Sequence, residues 1–292
     1  MKAKRIIAVL LTLCTLTSLC AVFAEGQHES RAVIGADLTD AQVQSIYDVF
    51  GVKRGDVTEM TITNADEREY LEGYVDASLI GTKSISCVYI QVLDDGKGLD
   101  VTTNHITWCA PEMYVNALAT AGITDAKVIV AAPFDVSGTA ALTGVFKAYE
   151  DITGEKLDES AKLAGTQELA VTSDLASEIG SKDSTAIVNE LKGILDETKE
   201  MSDSELRGKI AEIAKEYNTT LTDKQTNQLV SLCRSMEKMD TSELLERVNE
   251  AKQTLQKMAD AKTKAVGFIA KVQQVVTSIA DFFQTIIDHF KK

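Results

Sequence analysis

Few residues in this chain have the types and spacing that chemistry needs. The histidines are three: His28, His105 and His289. Nucleophilic catalysis needs a base within reach of the nucleophile, and the nearest such pairing is His105 with Cys109. On an extended strand these two share a face but stand roughly 13 Å apart, too far to exchange a proton, so His105 reads as a structural histidine. There is no Gly-x-Ser-x-Gly elbow and no His-Glu-x-x-His pair. The cysteine spacing fits no zinc site. Asp94, Asp95 and Asp100 surround Gly96 and Gly98, a calcium-like cluster without the distal glutamate of an EF-hand loop. Asp and Gly also serve tight loops for conformational reasons alone. Asn64, Asp66, Glu67 and Arg68 read as a helix cap with its solvated face, and Trp108, Tyr114 and Phe134 as core or pocket walls.

What remains is Pro133, Asp135, Ser137, Gly138 and Thr139, between the end of a strand and the start of a helix. Free amides and the helix dipole there could hold an anion or a carboxylate. Crevices at strand C-termini are also where α/β folds bind ligands. The loop lacks the lysine of a phosphate loop and the glycine spacing of a dinucleotide loop, and an ordinary capped helix start is the competing reading. No catalytic residue, cofactor or metal is assigned from the sequence.

The elements that must position this loop are legible around it. Residues 126–132 form a short Val- and Ile-rich run, as expected of a strand covered on both faces. Pro133 is expected to end it. Ser137 or Thr139 would cap the following helix, in which Leu142, Val145, Phe146 and Tyr149 share a face and Gly154 marks the stop. Upstream, a strand is predicted near 32–34, then a helix opened by the Thr39–Gln42 capping box, with Val43, Ile46, Tyr47 and Phe50 as its apolar stripe. A strand over 57–63 and a short helix capped by Asn64 with Glu67 follow. Residues 84–93 and 99–109 read as a hairpin turning at 94–98. Its register would set Cys87 opposite position 105, which argues against a Cys87–Cys109 disulfide. Pro111 opens another helix, which ends at Gly122.

After Gly154 there is no proline and no strand-like alternation. Helices are predicted near 158–170, 173–180, 184–200, 203–217, 222–238, 241–261 and 262–290, with capping boxes at Ser202–Glu205 and Thr222–Gln225. In the last of these, Phe268, Val272, Val275, Ile279, Phe282 and Ile286 form a heptad seam, widened by Phe283 and Phe290. Such a stripe suits burial in a bundle or pairing with a second copy. Lys262, Lys264, Lys271, Lys291 and Lys292 at its flanks suit a membrane surface instead.

The chain opens with Lys2, Lys4 and Arg5 before an apolar run, and Val22-Phe23-Ala24 has the small residues that a signal peptidase reads. Residues 1–24 are therefore expected to be a cleaved signal peptide, followed by a disordered leader over 25–30. The net charge of −14 becomes more negative when that basic segment leaves. So acidic a surface repels nucleic-acid phosphates. Cys14 and Cys20 leave with the signal, and the remaining Cys87, Cys109 and Cys233 are odd in number, so they make no complete disulfide framework.

Several stretches together resemble one family: Thr63-Asn64-Ala65-Asp66-Glu67, Gly81-Thr82-x-Ser84-Ile85-Ser86, Asn104-His105-Ile106-Thr107-Trp108, Met113-Tyr114-x-Asn116-Ala117-Leu118, and the run from Ala132-Pro133-Phe134 through Ser137-Gly138-Thr139 to Gly144. The chain is similar to the YpuA-like exported proteins of Gram-positive bacteria, a domain of unknown function numbered 1002. The similarity spans roughly residues 32–290 and is densest over 60–155. It implies an exported, two-part protein without an assigned activity, and it supplies no catalytic residues. Cys87 and Cys109 depart from the family's pattern.

The expected architecture is an α/β or α+β domain with a mixed sheet over 31–154, followed by an all-helical bundle over 155–292 that ends in an amphipathic helix. The expected role is a secreted or envelope-associated, non-enzymatic binding protein. Its partner would be a protein or envelope component, with self-association through the terminal helix. One alternative is an extracellular hydrolase or transferase at the Pro133–Thr139 loop. Another is a peripheral membrane protein held by the terminal helix.

Overall fold

The structure, a computed structural model, describes residues 28–75 and 77–264. Its first part is a five-stranded mixed sheet of β1 (Ser30–Gly35), β2 (Thr58–Ile62), β3 (Cys87–Val92), β4 (Leu99–Ile106) and β5 (Ala126–Val136), in the order β2-β1-β3-β5-β4. β1 pairs parallel with β2 and antiparallel with β3; β5 pairs antiparallel with β3 and parallel with β4. Strand alternation sorts the side chains. Ala32, Ile34, Cys87, Tyr89 and Ala131 pack with Val43, Ile46, Tyr47 and Phe50 of α1 (Asp40–Phe50) on one face. Val33, Val88, Ile90, Val128 and Val130 face the other, against α4 (Pro111–Ala121) and α5 (Thr139–Thr153). Between β2 and β3 lie α2 (Asn64–Leu71) and the single turn α3 (Ala77–Ile80).

The expected hairpin of residues 84–93 and 99–109 does not form, because β5 is inserted between its two arms. The physical reason lies in the side chains. β3 and β5 are apolar on both faces and need partners on both edges. In β4, Asp100, Thr102 and Asn104 alternate with the buried Leu99 and Val101 and mark it as an edge strand. The 93–98 connection crosses the end of β5, held by Leu93 N–H donating to the Asp125 carbonyl at 3.0 Å and Gly98 N–H donating to Asp125 Oδ1 at 2.7 Å. Pro133 does not end β5 either. Its ladder with β3 is complete at Ala131, and the β4 register jumps from Asn104↔Ala131 to Ile106↔Val136. Pro133 therefore sits in a bulge, where no ladder donor is needed. The cap of α2 is Thr63, boxed with Asp66, rather than Asn64.

The second part is helical. α6 (Glu159–Ile179) runs unbroken through the predicted interruption at 171–172, and α7 (Ser181–Gly193) stops short of 200, followed by the short turn α8 (Leu195–Thr198). α9 (Asp203–Glu216) and α10 (Asp223–Met236) begin at the expected capping boxes. The helix α11 covers 241–264 without a break at 261. Leu175, Ile187, Val188, Leu191, Leu206, Ile210, Leu229, Leu232, Cys233 and Leu244 form the core of this part. Leu169 of α6 and Ala251 of α11 pack instead into the core beneath the sheet, so the two parts share buried surface.

Candidate functional site

The start of α5 opens into a cleft of about 610 Å³ whose walls include Glu67, Lys83, Trp108, Asp135, Ser137 and Thr139. β5 delivers the chain to this point through its bulge, and Gly138 turns it into the helix at φ 95°. Only glycine holds that backbone without strain, and a Cβ there would also meet Ile106 and the Tyr114 hydroxyl. The Tyr114 hydroxyl, buried in the core, donates to the Gly138 carbonyl at 2.6 Å and fixes the turn.

Neither Ser137 nor Thr139 caps the helix, contrary to expectation: the N-cap is Gly138, with no side-chain cap bond. Both hydroxyls are drawn to neighbouring elements. Ser137 Oγ donates to the Leu79 carbonyl at 2.9 Å and lies 3.3 Å from Thr139 Oγ1, which donates to Glu67 Oε1. Glu67 is only 1 % exposed. Asn64 Nδ2 also donates to it, at 3.4 Å. The Arg68 guanidinium is turned away, onto Asn64 Oδ1 at 3.0 Å and the Gly81 carbonyl at 2.6 Å. Burial pushes the Glu67 carboxyl up to about 7, against the opposing pull of Thr139, Asn64 and Arg68. Lys147 of α5 bonds Asp66 at 2.5 Å and locks α2 beside the site. Three oxygens thus stand in a row, Ser137, Thr139 and Glu67, and the row ends in a carboxyl that takes or gives a proton near neutral pH.

The five loop residues predicted as a ligand site do not all reach the cleft wall. Asp135, Ser137, Gly138 and Thr139 line it, and Pro133 does not. Asp135 is exposed, and its carboxylate accepts from His105 Nδ1 at 2.7 Å. Phe134, expected as core or pocket wall, is 48 % exposed and lines neither. Glu67 was missed as a site residue. It lies 72 positions from Thr139 and read as solvated face, yet it stands one turn before the buried Leu71 on the same side of α2. That spacing was the available signal.

Among the described residues, the thiols of Cys87, Cys109 and Cys233 are free and buried. Cys87 and Cys109 pack into cores on opposite faces of the sheet. Burial pushes Cys87, Cys109 and Cys233 each up to about 12, so they stay protonated and unreactive at neutral pH. Among the described residues, no group of three or more His, Cys, Asp or Glu side chains is placed to hold a metal ion, and no helix is long and apolar enough to cross a membrane. The predicted signal peptide and the predicted partner face of Phe268, Val272, Val275, Ile279, Phe282, Phe283, Ile286 and Phe290 lie outside the described residues.

Residues 34–258 match a family described as a protein of unknown function (DUF1002). The chain belongs to that family. A DUF1002 relative, the "Uncharacterized protein YpuA" of Bacillus subtilis (strain 168), a Gram-positive bacterium, is 37% identical over 266 residues, 88% of each chain. No solved structure matches. The span matched to DUF1002 includes every cleft residue named above.

Proposed function

We propose that this DUF1002 chain is a secreted or envelope-associated, non-enzymatic binding protein whose ligand site is the cleft at the start of α5. What carries this reading is a helix N-terminus that opens into a cleft without a side-chain cap, while Ser137 and Thr139 stand in the cleft wall. The first amides of a helix have no partner within it and favour negative charge, and Lys83 adds a positive charge to the same wall. The ligand class is a small molecule with a carboxylate or other anionic head. Trp108, the chain's single tryptophan, lines the cleft and serves as a reporter. Titration with acetate or inorganic phosphate should change its emission saturably, and Lys83→Ala should weaken the response. A flat titration with both anions overturns the reading.

Export is tested by expression in a Gram-positive host, where the medium or wall fraction should hold a chain beginning at Glu25. Self-association through the terminal helix predicts that light scattering finds a smaller assembly when the chain ends at Lys262. An unchanged mass removes that helix from the account.

The hydrolase or transferase reading is favoured by one observation, the Thr139 hydroxyl donating to Glu67. Ser137 Oγ would attack an acyl carbon while its proton passes through Thr139 to the Glu67 carboxylate. The bond from that carbon to the leaving group then breaks, Glu67 returns the proton to the departing group, and Ser137 is left acylated. A fluorophosphonate probe should then label Ser137, and Glu67→Gln should slow labelling. No labelling leaves binding as the role of the cleft.

A further inference from the structure

The interface between the two parts of the molecule carries buried polar side chains beside its apolar contacts. α4 and α6 run antiparallel and close. Ser173 Oγ donates to Met113 Sδ at 3.2 Å, and a Cβ on Gly165 would stand 2.5 Å from the Ala117 carbonyl oxygen. α7 folds back along α6 after Gly180. At one level of this three-helix seam the polar groups satisfy one another. Thr120 Oγ1 donates to Glu168 Oε2 at 2.5 Å, and Lys192 Nζ donates to Glu168 Oε1 at 2.7 Å and to Thr120 Oγ1 at 3.2 Å.

One turn further along they do not. Asn116 lies a turn before Thr120 on α4, and Thr172 a turn after Glu168 on α6. Asn189 lies about a turn before Lys192 on α7, and Thr185 another turn beyond. Because neighbouring helices run in opposite directions, all four fall on the same side of the triad, and helical periodicity keeps them on its stripe. Asn116 has no exposure at all, and Thr172, Thr185 and Asn189 are all buried. Neither polar atom of the Asn116 amide meets a hydrogen-bonding partner within the protein, nor do Thr172 Oγ1, Thr185 Oγ1 and Asn189 Oδ1. Five orphaned atoms would together cost a large share of a domain's net stability, so something must satisfy them.

Their chemistry selects the occupant. Asn116 Nδ2 needs an acceptor, whereas the two amide oxygens need donors. A cation would satisfy only the oxygens, and the Lys192 ammonium stands one turn away. An anion would satisfy only the donors, and it would face Glu168. Water is donor and acceptor at once, and buried water characteristically bridges such groups. We propose that Asn116, Thr172, Asn189 and Thr185 bind a chain of ordered water molecules that joins the sheet-bearing part to the helical bundle. Lys192 supports the arrangement: its ammonium has three donors and two named acceptors, which leaves one for the chain.

A crystal structure at a resolution that resolves ordered solvent tests this directly. Water density should lie between Asn116, Thr172 and Asn189, and in solution the Asn116 side-chain amide protons should show magnetisation transfer from slowly exchanging water. A dry seam, with the two amides bonded to each other or to backbone carbonyls, overturns the proposal. The sign of one substitution gives a second test. Asn116→Leu keeps the branching of the side chain and removes its polarity. With waters bound, it strips their main anchor and the melting temperature falls. In a dry seam it would remove two orphaned atoms and the melting temperature would rise, which also overturns the proposal.

Discussion

Two glutamates, Glu67 in the cleft wall and Glu168 in the helical seam, are both buried and both accept from a threonine hydroxyl, Thr139 and Thr120 respectively. They differ in the third partner. Glu168 holds the Lys192 ammonium at 2.7 Å, whereas Glu67 has only the Asn64 amide at 3.4 Å and an Arg68 turned elsewhere. Burial penalises charge at both places. At Glu168 the penalty is shared with Lys192, whose ammonium burial pushes down while the glutamate pulls it back up. At Glu67 it falls on the carboxyl alone and lifts it to about 7. Burial and a threonine therefore do not define a role. A lysine partner makes one glutamate part of a structural tie, and without such a partner burial lifts the Glu67 carboxyl beside the cleft.

The comparison breaks most visibly at the seam. Lys192→Met leaves Glu168 buried without a counter-charge, and urea denaturation should show a loss of about 3–5 kcal/mol. Adding Glu168→Leu should restore most of it, because a packed apolar pair replaces an ion pair at little net cost. A single substitution costing under about 1 kcal/mol would mean that the pair is hydrated like a surface bridge.

At the cleft the effect depends on pH. Glu67 keeps its proton up to about 7 in the folded chain and only to the ordinary 4.5 when unfolded. Folding therefore takes up a proton between those values. The contribution to stability is full below 4.5 and is lost as pH rises through about 7, amounting to about 3 kcal/mol. Glu67→Gln can still accept from Thr139 but carries no charge. Its stability curve should lack this fall, so that the variant equals the parent at low pH and exceeds it at pH 8. Parallel curves would show that Glu67 ionises normally.

The sequence was most readable where one local rule acted alone. The capping boxes at Thr39, Ser202 and Thr222 formed as their spacing required, and Gly51, Gly122 and Gly154 stand at C-caps in the left-handed conformation. It misled where a distant group outbid a local one. Thr139 is expected to cap α5, but it falls one residue inside the helix, Gly138 holds the cap position, and the Thr139 hydroxyl donates to the carboxyl of Glu67. The Asp94–Gly98 loop turns the chain as expected, yet the apolar β5 separates the strands on either side of it. In α6, Thr166, Gln167 and Glu168 are polar, and no reading of the sequence singled them out. They are buried because α6 is enclosed by α4, α7 and α10, and no single-helix pattern records such enclosure.

Two glycines sharpen the contrast between the tight seam and the outer bundle. Gly165→Ala would force a Cβ against the Ala117 carbonyl, 2.5 Å away on backbone that cannot yield cheaply. A loss of about 1–3 kcal/mol is expected. Gly208, exposed within α9 with nothing near its would-be Cβ, should gain about 0.5–1 kcal/mol on the same change. Thermal melts of both read the difference. If Gly165→Ala is neutral, α4 and α6 lie further apart than described.

The smallest effect is expected where the ion-pair geometry is the same but the burial is not. His105 Nδ1 and Asp135 Oδ1 are 2.7 Å apart, the separation of Lys192 and Glu168, but their side chains are 50% and 70% exposed. Water already solvates both groups and salt screens them, so the pair contributes at most about 1 kcal/mol. His105 also occupies the left-handed region at φ 55°, so alanine would add backbone strain and confuse the measurement. Asparagine tolerates that conformation. His105→Asn should therefore shift the denaturation midpoint barely at all, and Asp135→Asn likewise. Should either cost as much as Lys192→Met, distance rather than burial would govern these pairs, and the contrast between Glu67 and Glu168 would need another cause.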